Sequence, residues 1–418
     1  MSGKLLLKAM VLGTMAFSIS TIGMAAEVQE ANGLNSAQQT IASDTARKEA
    51  VRSSWMDRTD VVVGVGMKDS KETHSQHHYV GESSNRHDDL HTVTSKSLKS
   101  TEINKLYIET LQPITHYDEN AKSVVFVQGR IGRSGEKISS RALNNYWVPA
   151  RPAGTFITHD KQTDKKESLG MNANIGIGYR RLSKGEHAYV GVNAFYDHVF
   201  KGGYKRVSGG VEYVAGLNEF HANLYRNLGT DDRKYIGLRG RSNVLGDPAG
   251  LYPYGLDSNQ GLFNYGVVSY ENHWMLSEKV AASGFDVGYS RTFKNARWAR
   301  VYADYYNWRG REAVRVGYHK LKKRDAIKGF KVGAEFHITP HLTIDAGYQT
   351  ASHHLSGPYA TLKYTIGTSK FAWHGGKHSE NAITTARSKM LDKVHRSDMV
   401  VQEVEEETYD HGVVDVGL

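Results

Sequence analysis

The chain has 418 residues, a formal net charge of +9, 42 glycines, 24 tyrosines, 7 prolines and no cysteine. Its mean hydropathy of −0.51 is that of a water-soluble polypeptide, and the absence of cysteine in a chain this long excludes a disulfide scaffold, a CxxCH haem attachment and any thiolate metal site. Packing, hydrogen bonds and ion pairs must hold the fold together.

The N-terminus reads as a secretory signal peptide, residues 1–26. Lys4 and Lys8 supply the positive region, Ala9 to Phe17 the apolar stretch and Gly23-Met24-Ala25-Ala26 a small-residue cleavage site, with cleavage expected after Ala25 or Ala26. A retained anchor fits less well, because Met10 to Ala26 carries Ser and Thr and is short for a hydrocarbon core of ~30 Å. Residues 27–103 read as a polar segment in the periplasm: a short helix near "EANGLNSAQQTIASDTARKEA", a charged His-rich loop "KDSKETHSQHHYVGESSNRHDDLH", and one strand-like run, Asp60 to Met67.

From about residue 104 to residue 368 the texture becomes period-two alternation. Met171, Ala173, Ile175, Ile177 and Tyr179 share one face, opposite Asn172, Asn174, Gly176 and Gly178. Ala188, Val190, Val192, Ala194 and Tyr196 repeat this opposite Tyr189, Gly191, Asn193, Phe195 and Asp197, and further runs follow at 206–213, 220–225, 285–290, 314–319, 331–338, 342–349 and 360–366. Each run has about nine residues, the length a tilted strand needs to cross a bilayer. A soluble sandwich also alternates. Charges and glycines on the polar faces, tyrosines finishing the apolar ones, and export without a membrane helix favour a transmembrane antiparallel β-barrel.

The Gly-Tyr pairs at 178–179, 288–289, 317–318 and 347–348 fit that architecture, glycine relieving crowding and tyrosine lying at headgroup level. Tyr179, Tyr196, Tyr213, Tyr289, Tyr318, Tyr348 and Tyr364 are the expected aromatic girdle. Leu182 to Glu186 forms the turn of the hairpin 174–200. After Gly367 the alternation stops. Gly375-Gly376 breaks the strand, Ser379 can cap a helix over about 379–394, and Asp398 to Val404 reads as extended, so 369–404 is a linker whose helix sits in the lumen or against the rim. Residues 405–418 are expected to be a short tail.

Residues 172–229 resemble the β-barrel domain of inverse autotransporters, the intimin and invasin family of outer-membrane adhesins. The resemblance is carried by Asn174, Gly176, Gly178, Tyr179 and Arg180; by Gly191, Val192, Asn193, Phe195, Tyr196 and Asp197; by Arg206, Gly210, Glu212 and Tyr213; and by Ala222, Asn223 and Tyr225, with Phe220 in place of a leading Leu. Weaker similarity covers 106–133, the run to Gly367 and "MLDKVHRSDMVVQE", so that roughly 104–404 is included. The resemblance implies a twelve-stranded barrel, a periplasmic N-terminus and a linker returning through the lumen to export a C-terminal passenger. It also implies assembly by periplasmic chaperones and the barrel-assembly machinery.

Two departures stand out. Insertions at about 134–170 and 230–282 could add a hairpin ("KYIGLRGR" with "FNYGVVSYENHWM"), leaving fourteen strands open, and only about fourteen residues follow Val404 where family adhesins carry large passengers. Receptor binding by a passenger is therefore not inherited.

No catalytic residue, cofactor or metal site is expected. The histidines at 74, 77, 78, 353 and 354 read as solvated loop residues, and Ser208 with His221 lacks any nucleophile motif. The basic stretch 310–331, with Lys320 to Lys328 at its centre, has the charge to meet outer-membrane lipid or lipopolysaccharide phosphate. The acidic run Glu403 to Glu407 either folds onto that patch or stays free. Nothing points to nucleic acid. Arg180, Asn193, Asp197, Arg206 and Glu212 are the expected lumen or turn contacts that organise the barrel. The leading reading is an anchor and transport barrel. One rival is a small-solute channel lined by Arg315, Lys331, Glu335, Asp345 and Lys363; another is an adhesin that binds a host-surface or bacterial-surface ligand through its loops.

Overall fold

The computed structural model describes residues 54–80, 87–117, 120–150, 155–229, 232–239, 243–245, 265–310, 314–316, 319–321, 326–352, 356–367 and 386–417. The signal peptide, residues 27–53, Tyr318, His353, His354 and residues 379–385 of the expected helix lie outside that set.

In chain order, β1 (Thr59–Val80), β2 (His87–Pro113) and β3 (Ser123–Arg133) open the barrel, and β4 (Glu136–Ala150) with β5 (Thr155–Ser168) leaves it as a hairpin. Next come β6 (Met171–Leu182), β7 (Ala188–Val199), β8 (Lys205–Ala215) and β9 (Asn218–Asn227). A second excursion holds β10 (Asp232–Arg239), β11 (Asn243–Leu245) and β12 (Tyr265–Ala281), after which β13 (Gly284–Phe293) and β14 (Ala296–Trp308) return to the wall. A small ribbon of β15 (Val314–Val316) and β16 (His319–Leu321) precedes β17 (Ile327–His337), β18 (Leu342–Gln349) and β19 (Gly357–Thr365), and β20 (Val400–Gly417) ends the chain.

Twelve of these close a ring of antiparallel neighbours, β1–β2–β3–β6–β7–β8–β9–β13–β14–β17–β18–β19, and β19 pairs back onto β1 from Asp60 opposite Thr365 to Val65 opposite Ala360. Closure leaves the spanning ladder without an edge, the condition for a sheet in hydrocarbon. The face rule is inverted relative to a soluble protein. Ile175, Ile177, Val190, Val192 and Val211 are each about half exposed on the outside, whereas Arg180 and Arg206 are 0% exposed inside.

The barrel therefore has twelve strands rather than fourteen, and it begins at Thr59 rather than near 104. The polar stretch expected as periplasmic and loop-like is, over 59–80 and 87–103, the long hairpin β1–β2. Its lower half lies in the wall, while its upper half rises beyond the ring and needs no apolar face. The inserted hairpin does form, with β10 antiparallel to β12, but it stands outside the ring. The run at 314–319 is not a wall strand, because β15 pairs only with β16 among the described residues. The segment 405–418 is not a loose tail over its described length, since β20 runs to Gly417.

The excursions join the rising part of β1 in a second sheet ordered β2–β1–β5–β4–β20–β12, with β10 and β11 both on the far side of β12. β20 lies between β4 (parallel) and β12 (antiparallel). Among the described residues the acidic run meets bases of this sheet: Glu403 is 3.5 Å from Lys137, Glu405 is 3.8 Å from Lys279 and Glu407 is 2.7 Å from Arg141.

The turns at one end are short, such as 183–187 and 216–217, and the start of β1 lies there too. The opposite end carries β4–β5, β10–β12, β15–β16 and the tip of β1–β2. Among the tyrosines expected in a girdle, Tyr179, Tyr213 and Tyr364 are exposed near the short-turn end, and Tyr196 and Tyr348 near the long-loop end. Tyr289 is less exposed; its ring packs 4.8 Å from Phe220 and its hydroxyl donates to Asn218 at 2.8 Å.

Candidate functional site

The site is the lumen with the chain that runs through it. After β19 the described chain resumes at Ala386 beside the short-turn end, where its N–H donates to the Glu186 carbonyl at 3.2 Å. At Val400 the chain has reached the long-loop end and enters β20 opposite Glu136 of β4. Residues 386–399 thus traverse the barrel from one rim to the other. The helix expected over 379–394 is reduced, within its described part, to the single 3₁₀ turn Ala386–Lys389. The reason is in the contacts: the wall supplies donors and acceptors that take the place of a helix's own.

Entry is fixed by Glu186, the one non-glycine at positive φ (59°) among the described residues. That strained turn aims its carboxylate inward, where both oxygens receive the Arg387 guanidinium at 2.9 and 2.8 Å, and Arg387 also donates to the Ala121 carbonyl at 2.7 Å.

Deeper in, Arg180 uses its whole fork. Nε and one terminal nitrogen donate to the Glu212 carboxylate at 2.5 and 3.0 Å, and the other donates to the Met390 and Asp392 carbonyls at 2.9 and 2.6 Å. Arg206 repeats the device one level up, with Asp197 at 2.8 Å and the carbonyls of Ser397 and Asp398 at 3.1 and 3.3 Å. Asp197 also receives Arg396 of the threaded segment at 2.8 and 2.6 Å. Arginine suits this work because one planar fork can bind a carboxylate and still donate to backbone oxygens.

The segment's N–H groups are served as well. Val394 donates to Gln128 at 2.9 Å, and Ser397 to the Tyr225 hydroxyl at 2.8 Å and to Asp286 at 3.0 Å. Asn223 donates to the His395 carbonyl at 3.0 Å. Lys105 and Arg130 both pair with Asp398, and Lys393 pairs with Asp60.

Apolar contact fills the gaps. Ala386, Met390 and Val394 pack with Leu111, Val124, Phe126, Leu182, Tyr189, Phe195 and Val214 in one buried cluster. The lumenal rings need room, which the wall gives by omitting side chains beneath them. A Cβ on Gly176 would lie 2.2 Å from Phe195, and one on Gly178 would lie 2.2 Å from Phe126. The arginines then lie over the rings, Arg180 4.6 Å from the Phe126 centroid and Arg396 4.4 Å from that of Phe195.

All five residues expected as organising contacts point into the lumen. Arg180, Asp197, Arg206 and Glu212 form the two clamps, while Asn193 sits beside them with an Nδ2 that has no hydrogen-bond partner. Sequence reading did not find Gln128, Glu186, Glu219 or Asp286 on the wall, nor Arg387, Lys389 and Arg396 on the segment. The spaced cations of "ARSKMLDKVHR" were the available signal, since an extended chain in an acidic channel needs bases at such intervals. Ser208 and His221 are not paired: Ser208 sits opposite Tyr225 and takes a 3.3 Å hydrogen bond from Arg396, while His221 sits opposite Glu212.

Opposite the clamps the lumen stays open. A cavity of about 480 Å³ lies between the segment and the wall of β14 and β17–β19, where Tyr302, Lys331, Asp345, Tyr359 and Lys363 face it. Of the residues of the channel reading, Lys331, Glu335, Asp345 and Lys363 line this space; Arg315 lies in the β15–β16 ribbon instead.

The family model described as "inverse autotransporter, beta-domain" matches residues 157–398. Solved structures with some likeness include "Translocator domain of autotransporter NalP from Neisseria meningitidis", at 10% identity over 82% of this chain and 97% of that one, TM-score 0.21. The "Beta Domain of the Bordetella Autotransporter Brka" is 9% identical over 72% and 99%, TM-score 0.21. A membrane protein solved in a study of in-meso crystallization is 13% identical over 82% and 100%, TM-score 0.44. At these scores the likenesses carry no argument. No curated protein matches the chain.

Proposed function

The chain belongs to the inverse autotransporter β-domain family of outer-membrane barrels, and from that premise we propose that it anchors in the bacterial outer membrane and carries its own C-terminal segment from the periplasmic face to the cell exterior. The observation that carries this reading is the course of residues 386–399, from the strained turn at Glu186 to the foot of β4 at Glu136. Short turns and the start of the first strand mark the periplasmic end, long excursions the outside. The two arginine clamps act as guides. They bind carbonyls, which every residue has, so a chain can be drawn past them and then held when Arg387 and Arg396 reach Glu186 and Asp197. Assembly through periplasmic chaperones and the barrel-assembly machinery belongs to the same reading, as does contact of the bases between Lys320 and Lys328 with lipopolysaccharide phosphate.

An epitope appended after Leu418 tests it. Antibody binding on intact cells is the expected result, together with protection of an epitope placed just before Ser54 until the outer membrane is permeabilised. A C-terminal epitope reached only after permeabilisation contradicts the proposal.

A further inference from the structure

On the outside of the barrel, cations without partners gather at one place. Lys205 of β8 and Arg226 of β9 are exposed on the lipid face, and Lys201 stands in the turn between β7 and β8. None of the three side chains has a hydrogen bond or ion pair among the described residues, whereas Arg180 and Arg206 inside are held by acids. No carboxylate shares the lipid face of β6–β9, because the alternation turns Asp197, Glu212 and Glu219 inward.

Register brings the group together. Lys205 lies directly opposite His198 of β7, and Arg226 lies opposite Val207, which in turn faces Tyr196. Lys205 and Arg226 are therefore diagonal neighbours with Cβ atoms roughly 7–8 Å apart, a gap that two long side chains can close around one phosphate. Beside them Tyr196, His198 and Phe200 form a ladder of rings: Tyr196 and His198 lie parallel with centroids 6.5 Å apart, and His198 meets Phe200 edge-on at 5.6 Å. Rings of this kind settle at headgroup level. Towards the middle of the membrane the same strip becomes shallow and apolar. Ala194, Gly209 and Leu224 form one cross-strand row, and a Cβ on Gly209 would meet nothing nearer than the Asn193 carbonyl oxygen at 3.9 Å. Leu224, 70% exposed, borders that groove.

We infer that this strip is a site for lipid A: the phosphates of a phosphorylated glycolipid of the outer leaflet bind Arg226, Lys205 and Lys201, its sugar rests against the ring ladder, and an acyl chain lies over Ala194 and Gly209. The inference rests on the orientation proposed above, which puts the turn between β7 and β8 outside. A glycolipid with two phosphates is the occupant because the cations step outward from the girdle. Arg226 is level with Tyr196, Lys205 lies two residues further out than Val207, and Lys201 stands in the turn beyond. A lipid with one phosphate leaves part of that series bare. A cation near the membrane boundary costs little, and a phosphate turns it into a charge-assisted contact.

Native mass spectrometry of the detergent-purified full chain tests this with three probes: lipid A with both phosphates, lipid A with one removed, and phosphatidylglycerol. Diphosphorylated lipid A is expected to be retained best. Lys205→Gln with Arg226→Gln is expected to cut its retention roughly tenfold or more while the barrel stays folded. Arg181→Gln, exposed at the opposite rim, is expected to change nothing. Retention untouched by the double substitution, an equal loss with Arg181→Gln, or phosphatidylglycerol retained as well as lipid A overturns the site. Lys201→Cys, in a chain without natural cysteine, separates that failure from a failure of the orientation. If an impermeant maleimide labels it on intact cells, the turn is outside, and loss of the lipid A preference refutes the site alone. Labelling only after permeabilisation refutes the orientation and, with it, the inference.

Discussion

The two sides of the lumen are built from the same alternating strands and do different things. The side made by β3 and β6–β9 is filled by the threaded segment, with Arg180 and Arg206 fully buried between acids and backbone carbonyls. The side made by β14 and β17–β19 holds charges too, but most bond to one another beside open space: Tyr302 with Asp345 and Tyr359, and Glu335 with Arg300 and Lys363, while Arg300 also reaches His395 of the segment at 2.7 Å. Burial is what separates them. A charge that has lost water depends on its partner, whereas one bordering a cavity keeps other options.

Mutations on the two sides should therefore differ in size. Arg180→Ala leaves Glu212 buried without its cation and two carbonyls without a donor, and should cost about 3–5 kcal/mol in denaturant unfolding of the detergent-solubilised protein. Arg206→Ala should behave alike through Asp197. Met390→Ala, which empties part of the shared apolar cluster, should cost about 2–4 kcal/mol and raise protease cleavage of the segment. On the open side, Lys331→Met loses a cation 4.8 Å from the Tyr359 ring and 5.4 Å from the Tyr302 ring, bordering the cavity, and should cost about 1 kcal/mol or less. Equal costs on both sides would erase the distinction.

The smallest expected effect lies outside the membrane. Burial, then the neighbouring His74, lowers the proton affinity of His159, whose ring stacks 5.1 Å from that of His74. The folded sheet thus favours neutral His159, so its contribution is complete above the free imidazole pKa of ~6.5 and declines as pH falls below it. Protection of the β5 amides, taken relative to their intrinsic exchange rates, should fall between pH 7.5 and pH 5.5, about the free value, and His159→Asn should flatten that dependence.

The gripped side was also the legible one. In β6–β9 tight turns join strands that alternate without interruption, so Arg180, Asp197, Arg206 and Glu212 declare their face in the sequence. β14 was missed because "ARVYADYYNW" carries aromatic rings on both faces; Tyr302, Tyr306 and Trp308 line the lumen side. β1 and β2 were missed above Met67 because strands beyond the membrane lack an apolar face. Glu186 and Arg387 escaped for a different reason: they are 201 residues apart, and only the closed ring brings them together. From Ala386 onward, the described part of the helix expected over 379–394, the hydrogen bonds of the lumen outweigh the local helical signals and leave only the turn Ala386–Lys389.

The central claim is that the C-terminal segment fills the clamped side of the lumen, and single-channel conductance in planar bilayers tests it most directly. The full chain, with the segment in place, should pass only a small fraction of the current carried by a chain ending at Gly367, which should open a wide and steady ion-conducting pore. Equal, steady conductance from both would contradict the account.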